Sequence, residues 1–125
     1  MRYVDAITST CTDLDGDTSG EVVRAGLRLA RSAWCELGGT DPAWDRFGLH
    51  VLAAEELLRH LPDATAKCEP PSRTDPDVRD AVIRLLTAVA NRLDRASGDE
   101  TRSLADRLAC DAAAGLVRIA LAVLP

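Results

Sequence analysis

The segment His50-Val-Leu-Ala-Ala-Glu-Glu-Leu-Leu-Arg-His60 holds both histidines of the chain and two adjacent carboxylates. On a helix turning about 100° per residue, the apolar stripe Trp44, Phe47, Val51, Ala54, Leu58 and Leu61 centres near Phe47 and Leu58. Glu56 and His60 point away from that stripe. Glu55 falls on one of its edges, beside Trp44 and Val51, and His50 falls on the other. A carboxylate on such an edge is partly desolvated, which raises its pKa. A raised carboxylic acid is what general acid or base catalysis uses. Glu55, with His50, is therefore the candidate catalytic set. The alternative role is structural. Glu55 would then pair with an arginine of a neighbouring helix or reach out to solvent, and His50 would bond to a backbone or side-chain partner.

Three further residues are candidates for ligand binding. Cys35 shares a helix face with Arg24, Arg28 and Arg31. Nearby guanidinium groups favour a thiolate, but a position in the last turn of a helix disfavours an anion. The arginine row itself would either grip an acidic partner or form a solvated face. Trp34 and Trp44 flank Gly38-Gly39. Both lean toward apolar faces, so they would line a pocket at one end of the molecule or pack the hairpin between them.

Other chemistries lack their residues. Ferritin-like di-iron sites need Glu-x-x-His on inward helix faces, and neither His50 nor His60 has a Glu three residues before it. Cys11, Cys35, Cys68 and Cys110 are spaced by 24, 33 and 42 residues, without a C-x-x-C pair. They read as reduced thiols. Asp13-Leu-Asp-Gly-Asp17 resembles the opening of a calcium loop. It has Thr18 where the glycine belongs and Arg24 where the bidentate glutamate belongs. No phosphate-binding glycine loop and no G-x-S-x-G elbow occurs. No cofactor and no metal is expected.

The elements that position these residues read as helices. Val4, Ile7, Cys11 and Leu14 give a short N-terminal helix over 3–14. Thr18-Ser-Gly-Glu21 fits a capping box for a second helix, which Gly38-Gly39 stops. Its buried face runs through Val22, Gly26, Leu29, Ala33 and Leu37. Asp41-Pro42 and Asp75-Pro76 start two more helices: Asp caps free N–H groups, and Pro suits the first helical position. These run from Pro42 to about Leu61 and from Pro76 to about Ala96. The latter buries Val78, Val82, Leu85, Val89 and Leu93. The last helix follows Ser97-Gly98-Asp99, with Leu104, Leu108, Ala112, Gly115, Ile119 and Ala122 as its inward stripe. Residues 62–74 are the one long linker, either a crossover or a slack antiparallel turn. The hairpins 20–62 and 76–125 share a pattern, which a duplication or the common form of helical hairpins would produce.

Composition bounds the rest. The chain has 125 residues, 46% of them apolar but only 3% aromatic, so its core is built from Ala, Leu and Val. Net charge is −5, which excludes a general basic surface for nucleic acid. One lysine, Lys67, stands against fourteen arginines, and no Gln occurs. That usage points to a high-GC bacterial genome. The N-terminus lacks the apolar region of a signal peptide, and the run 112–124 is too short for a membrane span and is interrupted by Arg118. The expected location is the cytoplasm. Residues 112–124 are otherwise apolar on nearly every side, as in a central helix or a subunit contact. A homodimer through the C-terminal helix, near Leu116, Ala120 and Val123, is the expectation.

The sequence thus predicts an all-α fold: a four-helix bundle of two helical hairpins plus a short N-terminal helix, in one domain spanning 1–125. Two functions remain open. One is a small cytoplasmic binding or accessory protein, in bacterial specialised metabolism, that takes a small apolar ligand or a protein partner through a pocket or helix face. The other is a cofactor-independent enzyme using Glu55 and His50 in an apolar cavity.

Overall fold

A computed structural model of the chain describes residues 1–16, 20–39, 41–64 and 67–125. Among the described residues there are five helices and no strand: α1 Tyr3–Gly16, α2 Glu21–Leu37, α3 Pro42–Leu57, α4 Val78–Ser97 and α5 Leu104–Val123. The chain is an all-α bundle. The capping box at 18–21 and Thr40, ahead of Asp41, lie outside the described residues.

Local chemistry explains most of the boundaries. Asp41 Oδ1 accepts from the Ala43 N–H at 2.8 Å, with Pro42 in the first turn. Ser103 caps α5 by accepting from the Asp106 N–H at 3.1 Å, satisfying a donor that the helix leaves free. Asp75 accepts from the Asp77 N–H at 2.9 Å, but there the side chain closes a turn and α4 begins only at Val78. α3 likewise ends at Leu57, four residues before the expected Leu61.

Side-chain contacts fix the directions of the helices. Arg118 of α5 pairs with Asp94 of α4, and Arg107 donates to Ser97 O, so α4 and α5 are antiparallel. His60, just beyond α3, meets Asp106 in the first turn of α5, so α3 and α5 are antiparallel too. α3 and α4 therefore point the same way, and the connection between them must travel back along the molecule. Asp63 meets Arg28 midway along α2, Cys68 and Pro70 lie beside Leu29 and Ser32, and Asp75 lies near Arg2. The linker is a crossover that runs over α2 and the N-terminal end of α1.

Among the described residues α4 packs on α1, α2 and α5, while α3 packs on α2 and α5. α1 touches only α2 and α4. Tyr3 anchors it by donating its hydroxyl to Leu29 O inside the molecule. α1 thus covers the α2–α4 side, and no described element covers the α3–α5 side opposite.

The core joins all five helices. Val78, Val82, Leu85, Val89 and Leu93 of α4 are buried, as their spacing predicts. Fully buried leucines such as Leu27, Leu85 and Leu86 contribute about 1.5–3 kcal/mol each in transfer terms. In α5 the phase is the reverse of the expected one. Cys110, Ala113, Ala114, Val117 and Ala120 face the core. The expected inward residues Leu104, Leu108 and Ile119 are 68%, 60% and 47% exposed, and Ala112, Gly115 and Ala122 are exposed with them. Small side chains on the inner face let α5 lie close to α3 and α4, which turns the bulkier set outward.

Candidate functional site

Glu55 lies on the α2 side of α3, where α2 presents Arg24, Arg28 and Arg31. Its carboxylate is 3.4 Å from Arg31 Nε, and its side chain keeps 12% of its exposure. Burial pushes its pKa above the ordinary 4.5, and Arg31, Arg28 and Arg24 oppose that shift without cancelling it. The surrounding cleft, about 200 Å³, is walled by Arg24, Arg28, Arg31, Arg59, Leu52, Glu55 and Glu56. It is polar. Its guanidinium groups have partners: Arg24 donates to Leu61 O at 2.9 Å, Arg28 meets Asp63 at 2.6 Å, and Arg59 meets Glu56 at 3.4 Å. As in the structural alternative, Glu55 is half of an ion pair, in a groove where four arginines outnumber the carboxylates Glu55, Glu56 and Asp63.

His50 is not brought to Glu55. It sits on the opposite flank of α3, with Nδ1 2.7 Å from Arg46 O one turn earlier. A ring nitrogen held by its own helix backbone and a carboxylate on the far flank share no substrate position. Cys35 is exposed in the last turn of α2, while the arginines of its row are engaged with Leu61, Asp63 and Glu55.

The two tryptophans pack the α2–α3 hairpin. Trp44 is 7% exposed and meets Phe47 edge to face, centroids 5.4 Å apart at 84°. Trp34 donates its indole N–H to Asp45 Oδ1 at 3.0 Å and lies against the backbone at Gly48. The Trp34 ring holds α2 to α3, and the Trp44 ring is buried against Phe47 of its own helix.

Two features carry no local sequence signal. The first is a polar cluster at the α3–α5 junction. His60 Nε2 is 2.6 Å from Asp106 Oδ1, and Arg102 Nη1 donates to Asp106 Oδ2 at 2.8 Å. These bonds, His60 first, hold the Asp106 carboxyl below its ordinary pKa. Cys110 approaches the same carboxylate at 3.8 Å. Burial, then the Asp106 charge, pushes its thiol pKa up. That is the wrong direction for a nucleophile, so the cluster ties helices together. Among the described residues no three His, Cys, Asp or Glu side chains converge as a metal site.

The second feature is the outer face of α3 and α5. Apart from Met1, every large apolar side chain that stands exposed lies on these two helices: Leu49 and Leu57 on α3, Leu104, Leu108 and Ile119 on α5. Leu49, Ala53 and Leu57 follow one another at four-residue spacing along one face of α3. No helix among the described residues is long and apolar enough to cross a membrane. Compared with protein families, characterised proteins and solved structures, the chain has no significant match, so its functional reading rests on its own residues.

Proposed function

We propose that this chain is a small binding or accessory protein that acts through the outer face of α3 and α5. One observation carries the reading: Leu49, Leu57, Leu104, Leu108 and Ile119 are all exposed, and all belong to the two helices that α1 does not touch. Scattered exposed leucines are ordinary on a protein surface, but a contiguous apolar patch beyond a few hundred Å² marks an interaction site. The enzymatic reading has less support, because the groove around Glu55 is polar, its arginines are paired, and His50 is elsewhere. The homodimer expected from the sequence belongs to this reading, with a changed set of contact residues. Ala120 is fully buried and cannot serve, while Leu108 and Ile119 can.

The test is a double substitution, Leu108→Asp with Ile119→Asp. Both side chains are largely exposed, so the helix content should survive. Wild type should either associate in solution or bind an apolar dye such as anilinonaphthalene sulfonate, and the variant should do neither. A wild type showing neither property overturns the reading.

A further inference from the structure

Resting on that reading, we infer that the occupant of the face is a second copy of this chain, with the two α5 helices packed antiparallel about a twofold axis level with Ala113 and Ala114.

The order of side-chain sizes along α5 carries the argument. The outward residues are Leu104, Leu108, Ala112, Gly115, Ile119 and Ala122. Reversed about the midpoint, the central order maps onto itself: Ala112 opposes Gly115 and Leu108 opposes Ile119. A twofold interface must be self-complementary in this way. Small residues at the centre let the helix axes approach, and branched residues on either side interlock.

Gly115 supports the same conclusion independently. A Cβ built there meets nothing within 4 Å, so nothing inside the molecule requires glycine. Glycine in the middle of a helix nevertheless costs about 1 kcal/mol relative to alanine. Close approach by another backbone, from outside, would offset that cost.

Charge fixes the direction. From Leu104 to Ala122 the outward strip has no charged side chain, and Asp111 and Arg118 border it on the α4 side. In the antiparallel arrangement Asp111 of one copy lies beside Arg118 of the other, twice over. A parallel pairing would put the two borders on opposite sides of the seam, and neither ion pair would form.

The area suffices. Twenty residues of α5 span about 30 Å at 1.5 Å per residue. With α3 about 9 Å away, the face is about 20 Å across. Its footprint of about 600 Å² per copy, before corrugation, approaches the ~800 Å² per partner of a standard stable interface.

Sedimentation at micromolar concentration should show two subunits in wild type. Leu108→Asp or Ile119→Asp should each weaken association by about tenfold or more, with helix content unchanged. The register is read by mixing Leu108→Cys and Ile119→Cys proteins, each with Cys35→Ser, under mild oxidation. A mixed 108-to-119 disulfide dimer should dominate over 108-to-108. A dimer that survives both aspartate variants, or one that crosslinks 108 to 108, overturns the arrangement. A wild type that stays monomeric also overturns it. If that monomer binds the dye and loses it in the double variant, the face reading survives and the second copy alone fails.

Discussion

A Cβ placed on Gly48 would lie 1.9 Å from Cδ2 of Trp34, across the seam between α3 and α2. The tryptophan ring thus occupies the volume that any other residue at position 48 would need. Gly48→Ala should destabilise the fold by about 3 kcal/mol, the upper range for overpacking. The ring can yield only by giving up its bond to Asp45. Thermal melts should show the loss, and tryptophan emission should shift as the indole leaves its place.

Arg31→Met should strand the half-buried Glu55 carboxylate and cost about 1 kcal/mol at pH 7. The sign of the pH dependence follows from the raised pKa. The folded state holds the Glu55 proton more tightly than the unfolded chain does. Stability from this group is therefore full below about pH 4.5 and is lost as pH rises through the raised value. The gap between wild type and Arg31→Met should open across that same window. Glu55→Gln, which keeps the volume and removes the charge, should stay within about 1 kcal/mol of wild type at pH 7, and the exposed Glu56→Gln within about 0.5 kcal/mol. Urea melts at pH 3.5 and pH 7 read all three. An Arg31→Met variant as stable as wild type at pH 7 would contradict the ion-pair account.

Asp106→Asn should behave oppositely with pH. Bonds from His60 and Arg102 hold the Asp106 carboxyl below its ordinary 3.8. Its contribution is present above that value and is lost as pH falls through the lowered one. The variant should be about 1–2 kcal/mol less stable at pH 7, through weakened charge-assisted bonds and a lost negative charge at a helix N-terminus. The difference should close in acid.

Tyr3 is the sole tyrosine, so its ionisation can be followed by ultraviolet absorbance without assignment. Burial, assisted by Cys68, pushes its pKa well above the ordinary 10. No phenolate should appear near pH 10 in the folded protein, and its appearance at higher pH should coincide with unfolding. Tyr3→Phe should remove the bond to Leu29 O, cost about 1 kcal/mol and loosen α1 from the core.

The parts of the fold legible in the sequence were those with one apolar phase. Val78, Val82, Leu85, Val89 and Leu93 have polar residues such as Arg79, Asp80 and Arg84 between them, so only one side of α4 can be buried. α5 has no such contrast. Leu104, Leu108 and Ile119 compete with Cys110, Ala113 and Val117, and periodicity alone favours the larger side chains. The decision belongs to helix spacing, which the small set permits. Glu55 and His50 were placed correctly on opposite edges of their stripe, but what stands opposite an edge comes from other helices. Arg31 lies 24 residues away from Glu55, and His60 lies 46 away from Asp106. The same limit left the linker undecided until Asp63, Cys68 and Asp75 had found their neighbours.

The four aromatic rings, Tyr3, Trp34, Trp44 and Phe47, all belong to α1, α2 and α3. α4 and α5 have none. Optically the molecule is lit from one half. Tryptophan emission and near-ultraviolet dichroism follow the α2–α3 hairpin and the docking of α1. An opening of the α4–α5 hairpin, or an event on the outer surface of α5, would pass these signals almost unseen. Amide hydrogen exchange resolved along the chain would see both.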